Sequence, residues 1–172
     1  MEMTPSDYEK LVATIAESVA KQFESSAAVA WGRRNLWLGA SGFEHQIDVS
    51  VKGQTRVLLV ECKYWSECIP VQAALVLVAR LADIRPKIHL PVEGAIISTV
   101  GFDPGVKQIS DHFGIHYDIV RSVEEWAFKY AGNIVITPLP ASVVVEAVID
   151  LKVQQDDRER GNPTAPESIR RQ

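Results

Sequence analysis

The stretch His45-Gln46-Ile47-Asp48-Val49-Ser50-Val51-Lys52, followed by the turn signal Gly53-Gln54 and then Arg56-Val57-Leu58-Leu59-Val60-Glu61-Cys62-Lys63, decides the architecture of this chain. Two runs rich in β-branched and apolar residues, separated by a glycine, predict an antiparallel hairpin. Side chains alternate faces along a strand, so Glu61 and Lys63 project to one side while Val60 and Cys62 project to the other. Asp48, on the partner strand, reaches the side of Glu61 and Lys63 when the register is right. Two close carboxylates resist joint ionisation unless a cation lies between them. With a lysine beside them, they are what a protein needs to hold a divalent ion next to a phosphate. The plain alternative is a solvated hairpin face. Against it, Glu61-Cys62-Lys63 follows directly on the apolar run Val57 to Val60, where an exposed charged edge is not expected.

Upstream of the hairpin, Thr4 suits an N-cap, Pro5 the first helical position, and Asp7 stands three residues after the cap. Together they signal a helix start. Tyr8, Leu11, Val12, Ile15, Ala16, Val19 and Phe23 then recur at helical spacing. At about 100° per residue Glu9 falls at the rim of that stripe and Glu17 on the opposite side. Ala27 to Trp31 reads as a strand, Gly32-Arg33-Arg34-Asn35 as a turn, and Leu36-Trp37-Leu38 as the approach to a glycine-bearing loop. Arg33 and Arg34, set between Trp31 and Trp37, form either phosphate and base-stacking contacts or a solvated turn.

Downstream, Val71 to Ile84 is almost uniformly apolar, the pattern of a helix buried on more than one side or packed on a partner. Gly94 to Thr99 is a continuous apolar strand suited to the inside of a mixed sheet. Asp103-Pro104 opens a further helix with Val106, Ile109 and Phe113 on one face and Gly114 ending it. Ile115 to Ile119 is a short strand. The order helix, three strands, helix, strand, helix, strand is α/β, one sheet flanked by helices. Gly114 interrupts the helix that would align His112 with His116, so no zinc site is expected there.

Ser122 and Glu125 form a capping box for a helix carrying Trp126, Phe128 and Tyr130. Ile134 to Thr137 and Val143 to Val153 follow as strands joined through Pro138-Leu139-Pro140. The second is amphipathic and must be paired or covered, by completing the sheet or by pairing across a homodimer. From Gln154 the sequence is polar and proline-containing, which predicts disorder. The expected organisation is a core over 1–120, a helix-and-hairpin extension of the same domain over 121–153, and a tail over 154–172.

Composition bounds the class. The chain has 172 residues, 47% hydrophobic and 23% charged, enough for one soluble domain with a real core. Met1-Glu2-Met3-Thr4 has no basic region followed by an apolar stretch, and the apolar run Ala73 to Ala79 is too short to span a bilayer. A cytoplasmic location with no membrane partner is expected. Cys62 and Cys68, the two cysteines, suit neither a disulfide scaffold nor a zinc knuckle. The net charge of -4 counts against tight, non-specific nucleic-acid binding by a lone protomer, which normally shows a basic footprint. A local basic strip or a bound cation still serves an acidic domain.

The pattern of Asp48, twelve intervening residues and Glu61-Cys62-Lys63 resembles the PD-(D/E)xK nuclease superfamily. Its flanks are similar to those of the Mrr-like restriction endonuclease branch. They are Gly39-Ala40-Ser41-Gly42-Phe43 ahead of Gln46-Ile47-Asp48-Val49, and Ala95-Ile96-Ile97-Ser98-Thr99-Val100-Gly101-Phe102 ahead of a helix. The resemblance runs from about Tyr8 to Tyr117, and the superfamily's namesake proline is Ile47 here. It implies a restriction-endonuclease-like mixed central sheet flanked by helices, with the C-terminal helix and hairpin as additions.

The function it implies is a Mg²⁺-dependent DNA endonuclease, Mn²⁺ substituting, with Asp48, Glu61 and Lys63 as catalytic residues. Asp48, Glu61 and the carbonyl of Cys62 would ligate the ion. Glu9 either joins the metal site from the first helix or stays a rim carboxylate in water. Arg33, Arg34, Gln46 and Gln72 are the candidate nucleic-acid contacts, Gln72 pointing either back toward the site or into a capping role. DNA is the expected partner, and a homodimer would suit cutting both strands of a duplex. The alternative is a non-catalytic nucleic-acid-recognition or assembly module on the same scaffold, consistent with the negative charge and the apolar helix. No separate DNA-reading motif is recognisable.

Overall fold

A computed structural model describes residues 3–120. The helix, hairpin and tail expected over 121–172 lie outside the described residues. Thr4 caps α1 (Pro5–Phe23) in a full capping box, its hydroxyl accepting from the Asp7 N–H while the Asp7 carboxylate accepts from the Thr4 N–H. Strands β1 (Ala28–Trp31), β2 (Leu36–Leu38), β3 (Glu44–Gln46), β4 (Val49–Lys52) and β5 (Val57–Lys63) follow. Then come α2 (Val71–Ile84), a 3₁₀ turn over Arg85–Lys87, β6 (Val92–Ser98), α3 (Pro104–Phe113) and β7 (Ile115–Ile119). Gly114 closes α3 at φ 66°, a left-handed conformation that residues with a Cβ adopt only with strain.

The central sheet has the order β1-β4-β5-β6-β7. β4 pairs antiparallel with β1 and β5, whereas β6 pairs parallel with β5 and β7. The two halves differ because β4 returns to β5 through the tight turn at Gly53, whose N–H donates to the Arg56 carbonyl at 2.9 Å. The β5–β6 and β6–β7 connections instead carry helices, as parallel neighbours require. Alternation along β5 divides the core. Leu58 and Val60 pack on the α1 side with Tyr8, Leu11, Val12 and Ile15. Val57 and Leu59 pack on the α2 side with Ala74, Leu77, Leu81 and Ile84. With both faces covered, β5 and β6 are apolar nearly throughout, and the mixed central sheet flanked by helices is as the sequence implies. No helix among the described residues is long and apolar enough to cross a membrane.

Two expectations are corrected. The run His45 to Lys52 is not one strand, and five strands rather than three precede α2. Glu44 to Gln46 pairs with Leu36 to Leu38 in a separate two-stranded sheet, and the chain bends at Ile47-Asp48 before β4 joins the central sheet. The cause is Asn35, a buried side chain at the junction. Its Nδ2 donates to the carbonyls of Ile47 at 2.8 Å and Ala30 at 3.3 Å, while its Oδ1 accepts from Ser50 Oγ at 2.9 Å and Trp37 Nε1 at 3.0 Å. All its polar capacity is used, so the break is specified rather than loose. The second correction concerns α2, which buries one stripe, Ala74, Leu77, Leu81 and Ile84, and leaves Leu75 and Val76 exposed. Burial on more than one side is therefore not met among the described residues, while Leu75 and Val76 keep the other reading, packing on a partner.

Candidate active site

The bend that ends β3 delivers Asp48 to the head of β4. Val49 pairs with Val60, and continuing that antiparallel register by one residue sets Asp48 opposite Glu61. Main-chain bonds fix the bend: the Gly32 N–H donates to the Asp48 carbonyl at 2.9 Å and the Ile47 N–H to the Asn35 carbonyl at 3.0 Å. The Asp48 carboxylate then accepts from the Cys62 N–H at 2.8 Å through Oδ2 and from Gln46 Nε2 at 3.2 Å through Oδ1.

Glu61 is buried at the end of β5, on the α2 side of the sheet with Lys63. Lys63 Nζ donates to its Oε1 at 2.6 Å, and Arg80 Nη1, reaching in from α2, donates to its Oε2 at 2.5 Å. Cys62 lies on the other side of the strand, against the α1 core.

Burial, followed by the charge of Glu61, raises the Asp48 carboxyl above its ordinary value; the Cys62 N–H, Lys63 and Arg80 oppose the rise. Burial raises Glu9 as well, helped by the charges of Asp48 and Glu61 and opposed by Arg33 and Lys63. Glu9 therefore lies within electrostatic reach of the acid pair, as its place on the rim of α1 implies. Burial also pushes the Cys62 thiol up, and the charge of Asp48 adds to this, so the sulfur stays neutral and its carbonyl is the group fit for a hard cation.

Among the described residues no three His, Cys, Asp or Glu side chains are grouped so as to hold an ion alone. The oxygen set of Asp48, Glu61 and the Cys62 carbonyl suits an ion that takes one or two carboxylates and completes its shell with water, as Mg²⁺ does.

Thus Asp48, Glu61 and Lys63 come together. Gln46 is exposed and bonded to Asp48. Arg33 is exposed and acts electrostatically on Glu9, and Arg34 is exposed beside it. Gln72 is exposed in the first turn of α2, and its side chain makes no hydrogen bond among the described residues.

Two residues that complete this region were not foreseen. Arg80 is the one: its signal was a lone cation in an otherwise apolar helix. The other is Asp83, which accepts from the Ser41 N–H at 2.8 Å, Ser41 Oγ at 2.6 Å and His45 Nε2 at 2.7 Å. Bonds from Ser41 and then His45 hold its carboxyl down at about 2. A Cβ on Gly39 would stand 1.9 Å from Asp83 Oδ2, so the glycine lets the loop close onto α2. Ser41 and His45 both bond to Asp83, so the trio staples the β2–β3 hairpin to α2 rather than forming a nucleophile relay, in which the histidine bridges the other two.

No protein-family model and no curated protein matches the chain. Among solved structures it is similar to a protein of unknown function, AF1548, with a TM-score of 0.51 and 16% identity over 63% of this chain and 56% of that one. It is also similar to a repair endonuclease from Pyrococcus abyssi, with a TM-score of 0.49 and 10% identity over 70% of this chain and 48% of that one. A third likeness is to EndoMS in complex with double-stranded DNA, with a TM-score of 0.47 and 12% identity over 70% and 47% of the two chains. The chain spans about half the length of these structures. At these identities the likeness is one of fold, and it rests on the first structure and on the strand order.

Proposed function

We propose that this chain is a metal-dependent DNA endonuclease of the PD-(D/E)xK superfamily, Mrr-like branch, which hydrolyses phosphodiester bonds with Asp48, Glu61 and Lys63. The observation that carries the reading is the convergence of these groups across a strand break, with Asp48 Oδ2 2.8 Å from the Cys62 N–H and Lys63 Nζ 2.6 Å from Glu61. A scaffold has no need to gather buried like charges, whereas sites of chemistry regularly do so. Asp48, Glu61 and the Cys62 carbonyl would hold Mg²⁺ or Mn²⁺, and Glu9 would serve a second ion. Such an ion supplies Lewis acidity and neutralises charge on the phosphate oxygens. Lys63 orients the attacking water and faces the negative charge that builds on the phosphoryl oxygens. Arg33, Arg34, Gln46 and Gln72 contact DNA, and a homodimer presents two such sites to the substrate. The test is Mg²⁺-dependent cutting of plasmid DNA, which Asp48→Ala and Lys63→Ala each abolish while circular dichroism reports an intact fold. Cutting at the native rate by Asp48→Ala refutes the proposal.

A second reading, a non-catalytic nucleic-acid-recognition or assembly module, is favoured by one observation: both Glu61 oxygens already carry a cation, Lys63 and Arg80. Calorimetry with Mn²⁺ separates the two. Binding that disappears in Glu61→Gln supports the enzyme, and a native protein that takes up no ion supports the module.

A further inference from the structure

Trp65 stands two residues beyond the site lysine. It is 47% exposed and belongs to neither core layer. An indole left half in water forgoes a large apolar burial, and tryptophans so placed are characteristic of binding surfaces. Its main chain is held firmly, because the Thr99 N–H donates to the Lys63 carbonyl at 3.2 Å and Thr99 Oγ1 to the Trp65 carbonyl at 3.1 Å. Between them Tyr64 packs its ring against Tyr8, with centroids 5.7 Å apart. The end of β6 and the start of α1 thus fix the rim on which the indole sits.

Lys63 Nζ lies 5.9 Å from the centroid of the Trp65 ring and 2.6 Å from Glu61 Oε1. Lys63 Nζ stands over one face of the ring, so the half-exposed indole offers its remaining surface within the span of one nucleotide of the acid–lysine group.

We propose that Trp65 is the stacking platform for a nucleobase beside the scissile phosphate, and that the substrate of this site is accordingly DNA with an unpaired base at that position: single-stranded, frayed or looped. The inference rests on the nuclease reading for its chemistry. In an intact duplex both faces of a base are covered by its neighbours, so it reaches an aromatic platform only after unstacking, a penalty that an unpaired strand avoids. Every base has a π-face, so the platform tolerates sequence. Contact through a ring also suits a chain of net charge -4, which has no broad basic surplus to grip a duplex backbone.

The test is fluorescence anisotropy of a labelled oligothymidylate of about ten nucleotides, titrated with the full chain in EDTA so that binding is read without turnover. Native protein binds the single strand more tightly than the same oligonucleotide paired with its complement. Trp65→Ala weakens single-strand binding about tenfold or more, and Trp65→Phe, which keeps a π-face, stays within about threefold of native. Circular dichroism of Trp65→Ala confirms that the exposed position leaves the fold unchanged. Equal binding by Trp65→Ala and native protein, or equal native affinity for single strand and duplex, overturns the proposal. Trp65-dependent binding in a protein that cuts nothing with Mg²⁺ sinks the nuclease reading and leaves the platform standing. Mg²⁺-dependent cutting with no dependence of binding on Trp65 does the reverse.

Discussion

Replacing Glu61 by Gln keeps the shape of the side chain and removes its charge, isolating what the carboxylate contributes to the fold. One oxygen receives Lys63 Nζ at 2.6 Å and the other Arg80 Nη1 at 2.5 Å. The side-chain exposures are 8% for Glu61, 18% for Lys63 and 28% for Arg80. A hydrogen bond to a charged group contributes about 1.5–3 kcal/mol, so two set an upper bound of about 3–6 kcal/mol. Two effects reduce this. The amide oxygen of Gln still accepts one of the bonds, and both cations have enough contact with water to rehydrate when their partner is lost. The expected loss is about 2–3 kcal/mol, or about 4–12 °C in Tm for a chain of this size. Thermal melts followed by circular dichroism read the shift, and urea titration checks that the midpoint moves while the slope does not. A Tm within about 2 °C of native, or above it, refutes the reasoning, because the ion triad would then be energetically neutral.

Asp48→Asn acts in the opposite direction. Burial and Glu61 raise the Asp48 carboxyl above its ordinary value of 3.8, so its ionised form weakens the fold and stability is lost as pH rises through the raised pKa. Asn still accepts from the Cys62 N–H but carries no charge, so at neutral pH the variant melts about 1–4 °C higher. That advantage vanishes once the pH drops below the ordinary carboxylate value; a native protein at least as stable at neutral pH contradicts this. Asp83 has the reverse sign: its carboxyl is held at about 2 against an ordinary 3.8, so its contribution is present above the ordinary value and lost as pH falls through about 2. Asp83→Asn therefore melts below native protein at neutral pH, with the gap closing across that acid window. Coincident melts at neutral pH would show that the hairpin staple adds nothing.

Elements whose signals are local were legible in the sequence. The start of α1 follows from Thr4, Pro5 and Asp7, which meet within one turn. Val71 to Ile84 forms α2 as its composition predicts, and Gly114 ends α3 where its left-handed conformation is needed. The same holds for Glu61 and Lys63, which share a face because a strand alternates. The bend at Ile47-Asp48 was not legible. An alternating pattern runs across it unbroken, and the side chain that imposes it, Asn35, lies twelve residues from Ile47. Arg80 and Asp83 escaped for a related reason. Their partners are 19 positions away for Glu61, and 42 and 38 for Ser41 and His45. Which way α2 turns those side chains depends on how Leu77 and Leu81 seat against the sheet.

Asn35 and Ile47 are the two feet of the β2–β3 arm, tied to each other through the Ile47 N–H at 3.0 Å and the Asn35 Nδ2 at 2.8 Å. Because β3 leaves the central sheet before Asp48, a residue gained or lost between these feet reverses side-chain faces inside the arm alone, and Val49 keeps Val60 as its partner. Length changes in surface connections carry only a small thermodynamic penalty. The arm can therefore change length and outer residues beside the carboxylates, provided Gln46 keeps its bond to Asp48 and Ser41 and His45 keep theirs to Asp83.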